Sequence, residues 1–205
     1  LDLAPTAKLL RTRGDAMQAA VPVGIGAMAA ILGADREKAQ AIADAAAEGQ
    51  VCTVANDNDP AQVVISGHRE AIERALPIAK EMGAKRALLL PVSAPFHCPL
   101  MQPAADAMAE ALAAVSIRAP LVPVYVNVTA APVADPDTIR ALLVERVTGM
   151  VRWRESVLAM FAAGVGDYVE FGGKVLGGMV KRIAPDAAPV SVVTMEDIEA
   201  LAKTL

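Results

Sequence analysis

Val51-Cys52-Thr53-Val54-Ala55-Asn56-Asp57-Asn58-Asp59-Pro60-Ala61-Gln62-Val63-Val64-Ile65-Ser66 holds two β-rich runs around a dense turn signal. Short Asn and Asp side chains bond their own backbone, and Pro fixes φ, so Asn56–Pro60 is predicted to turn. Val51–Ala55 and Gln62–Ser66 are then two strands of a hairpin-like unit with a longer loop. Working upstream, Asp35 is a plausible N-cap for a helix running through Ala47 and closed by Gly49, and Ala27–Leu32 reads as a short strand. Downstream, Ile72, Ala75, Leu76, Ile78, Ala79 and Met82 carry helical periodicity over Arg69–Met82. Gly83 stops that helix, and Ala87–Leu90 is a strand. The order β-α-β-β-α-β from Ala27 to Pro91 is the split βαβ, ferredoxin-like pattern.

On either side the pattern differs. Thr6–Ala20 is an amphipathic helix with Pro5 in its first turn, carrying Arg13 and then Gly14, a residue that costs roughly 1 kcal/mol relative to Ala inside a helix. Pro22, Gly24 and Gly26 end it. After Pro91 come helices over Pro103–Val115, Thr138–Arg146, Trp153–Ala162, Val175–Ile183 and Met195–Lys203. Strands fall at Val122–Val128, Asp167–Phe171 and Val190–Thr194. Strands alternating with helices imply a parallel sheet, yet too few strands remain for a free-standing one. The expected architecture is therefore α/β: an α/β-hydrolase-like parallel-sheet domain (residues 1–20 and 92–205), incomplete at its N-terminal side, with a ferredoxin-like βαββαβ subdomain (21–91) inserted. The opening Leu1-Asp2-Leu3-Ala4-Pro5 enters a helix at once, as a piece of a larger protein would.

Composition narrows the classes. Hydrophobic residues make up 55% of the 205 residues and charged ones 20%, with a formal net charge of −4. No basic stripe marks a nucleic-acid protein, and no apolar run approaches a membrane span. Cys52 and Cys98 are too few for a disulfide framework or a zinc site, which fits a reducing cytoplasm. No signal peptide is visible.

The chemistry concentrates at Pro91-Val92-Ser93-Ala94-Pro95-Phe96-His97-Cys98-Pro99. Three prolines stiffen the loop and block a helix through the histidine. A histidine on a rigid mount after a strand is where a general base is placed; a half-buried histidine closing a loop is the alternative. Arg13 is either a solvated helix arginine or an anion clamp that Gly14 lets a ligand approach. Gly24-Ile25-Gly26 resembles a dinucleotide fingerprint but follows a helix and opens a strand, the reverse of what that motif needs. Gly173-Lys174 lacks the Ser/Thr and earlier Gly of a P-loop; Gly172-Gly173 remains a possible anion or backbone-approach site. None of the five serines lies in a G-x-S-x-G elbow, and Cys98, adjacent to His97 on an extended loop, diverges from it and reads as a small buried hydrophobe. The residues themselves thus offer a candidate base and a candidate carboxylate clamp, with no nucleophile.

Several stretches together resemble the malonyl-CoA:acyl carrier protein transacylase family of bacterial fatty-acid synthesis: Arg11–Gln18 with Ala20-Val21-Pro22 and Gly26–Ala30, Val54–Asn58 with Gln62–Gly67, Pro91–His97, and Gly173–Leu176 with Lys181-Arg182-Ile183. The resemblance implies that His97 is the catalytic histidine and that Arg13 pairs with the free malonyl carboxylate. It puts Asn56 and Asn58 on a loop facing the active-site cleft and makes Phe96 the malonyl-selective neighbour of the histidine. It sets Lys181 and Arg182 near the docking surface for the acidic carrier protein. It implies no metal or redox cofactor; the substrates are malonyl-CoA and the phosphopantetheinylated carrier, and the complete protein is expected to be a cytoplasmic monomer. The family's nucleophilic serine and its oxyanion-hole glutamine lie upstream of Arg13 and are not in this sequence. Arg146 stands where the family commonly has glutamine, at a position whose backbone carbonyl orients the histidine, and Gly172 replaces a common proline. Two other readings stay open: an acyltransferase of different acyl choice, or a related hydrolase, on the same fold; and a non-catalytic ferredoxin-like carrier-binding module.

Overall fold

Gly26–Leu32 (β1), Cys52–Asp59 (β2), Gln62–His68 (β3) and Arg86–Leu89 (β4) form one antiparallel sheet in the order β2-β3-β1-β4 in the computed structural model, which describes residues 1–204. The last residue of the 92–205 segment thus lies outside the described residues. Alternation along the strands gives the sheet two buried faces. Ala29, Ile31, Val63 and Ile65 point to one side, where Arg36–Ala47 (α2) and Arg69–Glu81 (α3) cover them with Ile42 and Ile72. Met28, Ala30, Ala55 and Val64 point to the other, where they meet Leu90 and Phe96. The Asp35 side chain accepts the Lys38 N–H at 2.9 Å, so α2 starts with a satisfied cap.

The structure differs from the sequence expectation at Asn56–Pro60. The strand does not turn there; β2 runs on to Asp59 and only Pro60-Ala61 reverse the chain. Tertiary contacts override the local turn preference. Asp57 and Asp59 are 1% and 2% exposed, and a carboxylate buried that deeply needs a partner. Arg154 of Trp153–Ala162 (α6) pairs with Asp57 at 2.9 Å, and Arg182 of Leu176–Ile183 (α7) pairs with Asp59 at 2.8 Å. Register shifts at Val54/Asn56 and Asp57/Asp59 let the strand bulge so that both carboxylates reach those arginines.

Leu3–Ala19 (α1) packs with Gln102–Ala113 (α4) and Pro136–Thr148 (α5) around Leu9, Met17, Met101, Met108, Leu112 and Val147. Within the expected strand Val122–Val128, only Val124–Val126 (β5) is extended, and it pairs antiparallel with Ala131–Val133 (β6). That hairpin was not foreseen, since three-residue strands are too short to show alternation. Asp167–Phe171 (β7) and Ala188–Val192 (β8) pair in parallel with α7 between them in sequence. Val157, Val180, Ile183 and Ala187 form the core beneath. Met195–Ala202 (α8) closes the chain behind a Thr194/Asp197 capping box. The chain is thus an α/β protein with antiparallel and parallel sheets.

Gly67 shows how tightly this sheet is built. It lies between Ala27 and Cys52 in the register, and a Cβ there would stand 1.9 Å from the Val51 carbonyl oxygen. The obstacle is backbone and cannot swing away. Gly67→Ala should therefore destabilise the protein by about 3 kcal/mol or more, read as the shift of a urea unfolding midpoint; a midpoint equal to wild type would contradict the packing described.

Candidate active site

His97 sits between Pro95 and Pro99 with φ of 57°, a left-handed conformation that a non-glycine residue adopts only where its surroundings hold it. Three contacts do so. Pro95 is seated on the first residue of β1: a Cβ at Gly26 would lie 2.3 Å from Pro95 Cγ, so only glycine fits. The buried Cys98 thiol donates to the Pro95 carbonyl at 3.1 Å, and burial pushes that thiol above its ordinary value, so it is an inert packing group. Last, His97 Nδ1 lies 3.1 Å from the Arg146 backbone oxygen. A carbonyl only accepts, so Nδ1 carries the proton and Nε2 is the basic nitrogen.

Electrostatics favour the neutral ring. Burial pushes the His97 pKa down to about 4; the Arg146 carbonyl opposes this, while the Arg146 and Arg13 guanidinium charges add to it. The cleft beside the ring is about 310 Å³ and is lined by Arg13, Gly14, Met17, Gln18, Phe96 and His97. Arg13 has no carboxylate partner among the described residues. Its own pKa is lowered, first by burial and then by the neighbouring Arg146. A half-buried, unpaired guanidinium costs solvation free energy that an incoming anion recovers. Gly14 lines the cleft without a side chain, and even a Cβ there would meet no atom within 4 Å, so the wall beside Arg13 is uncrowded. A wider groove of about 740 Å³ between α2 and β2 contains neither group.

The structure brings Arg13, Phe96 and His97 together, Phe96 packing between the α1/α4/α5 core and the sheet. Asn56 and Asn58 do not line that cleft. Asn56 faces Val64 in the register, which puts it on the sheet side that packs against Phe96, and Asn58 is half-buried at the second bulge. Lys181 and Arg182 lie in the last turn of α7, remote in sequence from the cleft lining. Lys181 Nζ donates to Pro185 O at 3.1 Å, and Arg182 is already paired with Asp59. At Gly172-Gly173 the anion is internal: the Glu170 carboxylate accepts the N–H groups of Val175, Leu176 and Gly177 at 2.9 to 3.0 Å. Sequence reasoning missed Gln18 and Gly149. Gln18 follows Arg13, Gly14 and Met17 at helical spacing, which was the available signal, and it accepts the Ser93 hydroxyl at 2.8 Å. Gly149 allows the turn after α5 to press on its surroundings, since a Cβ there would lie 2.8 Å from Val128 Cγ1 and 2.9 Å from Glu145 O. Among the described residues no serine hydroxyl bonds to His97.

The depressed His97 value makes stability pH-dependent in a stated direction. The unfolded chain takes up a proton near the ordinary 6.5 and the folded one only near 4. Between those values the unfolded state binds more protons, so this contribution lowers stability as pH falls from about 6.5 to about 4 and is constant above. Replacing His97 by Gln should flatten that part of the stability–pH curve measured by chemical denaturation. Parallel curves for the two proteins would contradict a buried neutral ring.

The acyl transferase domain family matches residues 2–172 of the chain. The malonyl CoA-acyl carrier protein transacylase of Escherichia coli K12 is 50% identical over 184 residues, 89% of this chain and 60% of its own length. An acyl-carrier-protein-S-malonyltransferase structure from Bartonella henselae superposes with a TM-score of 0.94 at 51% identity, covering 98% of this chain and 64% of that one. A type II PKS acyl-carrier protein in complex with its malonyl-transacylase also matches, at 40% identity and a TM-score of 0.92, over 97% of this chain and 64% of that one. The chain thus spans about 60% of the length of the curated relatives it matches. With a family match over most of its residues and 50% identity to a relative across 89% of its length, the chain belongs to the acyl transferase domain family.

Proposed function

We propose that these residues supply the base and the substrate-carboxylate site of a malonyl-CoA:acyl carrier protein transacylase. The observation that carries the reading is the pairing, in one cleft, of a neutral imidazole with a fixed Nδ1–H and an unpaired guanidinium. The names of the relatives support it. So does the antiparallel β2-β3-β1-β4 sheet, read as a ferredoxin-like insertion (21–91) in an α/β-hydrolase-like domain (1–20 and 92–205).

The transfer proceeds in two halves. A serine hydroxyl from outside these 205 residues attacks the malonyl thioester carbonyl and gives its proton to His97 Nε2. The Arg146 carbonyl accepts from Nδ1–H throughout and steadies the transient imidazolium. Backbone N–H groups hold the tetrahedral oxyanion. Its collapse breaks the C–S bond, and the departing thiolate of coenzyme A takes the proton from Nε2. The phosphopantetheine thiol of the carrier then enters and loses its proton to the same nitrogen. It attacks the malonyl-serine ester, and the serine oxygen leaves with that proton. Proton and acyl group both return to balance, and the chemistry calls for no metal or redox cofactor.

Arg13 holds the free carboxylate of the malonyl group through a planar, two-point contact that a monocarboxylic acyl group cannot make. The Phe96 ring crowds an α-methyl. Asn56 and Asn58 lie on β2 outside the cleft lining and take no part in this reading. Lys181 is the more available half of the carrier-docking pair, with Arg182 sharing its charge with Asp59. The partner is an acyl carrier protein and the setting the cytoplasm; among the described residues no helix is long and apolar enough to cross a membrane. The complete protein works as a monomer.

Arg13→Ala, made in the complete protein, should lower the kcat/KM for malonyl transfer by about 10²-fold, as removal of one partner of a desolvated charge pair does. Acetyl transfer should hold or rise. Equal losses for both acyl groups, or unchanged selectivity in acyl-CoA competition, would contradict the clamp and favour an acyltransferase of other acyl choice.

A further inference from the structure

We propose that the Asp57–Arg154 ion pair is a positioning device for His97, acting through the turn that follows α5; the proposal rests on the reading of His97 as the base. Asp57 is 1% exposed, and both its oxygens accept from Arg154 Nε, at 3.1 and 3.0 Å. A third contact, from a terminal guanidinium nitrogen to Oδ2, is 2.9 Å, so two nitrogens of Arg154 engage the carboxylate. This two-point geometry fixes orientation as well as distance. Next to it, the Asp57 N–H donates to Val151 O at 2.9 Å and the Val151 N–H donates to Ala55 O at 2.8 Å. These two bonds make a parallel bridge between β2 and residue 151. The ion pair and the bridge together clamp the insert sheet to the α5–α6 turn at both ends of a short segment, Val151 to Arg154.

That turn has no slack with which to absorb a displacement. Gly149 leaves no room even for a Cβ, which would stand 2.8 Å from Val128 Cγ1 and 2.9 Å from Glu145 O, and its N–H is bonded to Glu145 O at 2.8 Å. The Arg152 N–H is bonded to Asn127 O at 3.0 Å. A shift at Val151 is therefore passed back along the five residues to Arg146, whose carbonyl holds His97 Nδ1 at 3.1 Å. A close-packed interior transmits such shifts instead of damping them. Neither Asp57 nor Arg154 lines the cleft, so both act on the reaction only through the ring they help to seat. Asp59, two residues on, makes the comparison: its pair with Arg182 reaches α7 and not the turn.

The test uses the complete protein with Asp57→Asn, Arg154→Met, their combination, the milder Arg154→Lys, and Asp59→Asn. The readout is the rate of malonyl-enzyme formation from malonyl-CoA, a half-reaction that needs no carrier, with melting temperature measured alongside. The expected result is a fall of about tenfold in the saturated rate for Asp57→Asn and for Arg154→Met, with the half-saturating malonyl-CoA concentration unchanged. The double variant should be no slower than the singles. Arg154→Lys, which keeps the charge and loses the two-point contact, should fall several-fold without unfolding. Asp59→Asn should cost stability and leave the rate near wild type. Rates within threefold of wild type for the folded Asp57 and Arg154 variants, or an equal slowing by Asp59→Asn, would overturn the proposal. A His97→Ala enzyme as fast as wild type would instead remove the assignment of the base, which is a separate result.

Discussion

The hydrogen bond from His97 Nδ1 to the Arg146 carbonyl is the contact on which the site depends. It decides the tautomer, and therefore which nitrogen is basic. It also fixes the plane of the ring without the carboxylate that many histidine bases use. A neutral acceptor stabilises an imidazolium less than a carboxylate does. Burial and two nearby guanidinium groups push the same way, so the ring stays unprotonated at neutral pH and is available to take a proton. The αL backbone at His97 is maintained by its supports: Pro95 on Gly26, Cys98 on Pro95, and the ring on the Arg146 carbonyl.

These supports explain why a four-stranded sheet sits beside the cleft. Its first strand begins under Pro95, its last leads directly into the histidine loop, and its edge strand β2 carries the bridge to Val151. The sheet thus meets the histidine loop and the α5–α6 turn at three places while contributing none of the residues that line the cleft. Its opposite face, closed by α2 and α3 over Ile31, Ile42, Ile65 and Ile72, supplies the apolar burial that keeps it rigid. Arg13 comes from a different layer. It projects from α1, which is held by α4 and α5, and α5 ends at the turn that orients the ring. The helix that bears Arg13 and the ring of His97 therefore both rest on α5.

Much of this was legible in the residues. The apolar spacing of Ile72, Ala75, Leu76 and Ala79, the Asp35 cap and the proline-bracketed His97 each point to the element found there, because each is a local signal. Arg13 and His97, more than eighty residues apart, could be joined only by resemblance, since no periodicity links a helix to a distant loop. The misreading at Asn56–Pro60 has a definite cause. Asp57 and Asp59 have every turn-forming preference, and what holds them in a strand is two arginines about 100 and 120 residues downstream. Long-range ion pairs leave no local trace. The same is true of Gly149 and Gly26, whose small size matters only against atoms brought in by the fold.

The measurement that bears most directly on the central claim is the protonation of the two His97 ring nitrogens, read from their ¹⁵N chemical shifts and proton couplings at neutral pH. The account predicts a single neutral form with the proton on Nδ1 and a bare Nε2, persisting as the pH is lowered to about 5. A doubly protonated ring at neutral pH, or a proton resident on Nε2, would contradict it.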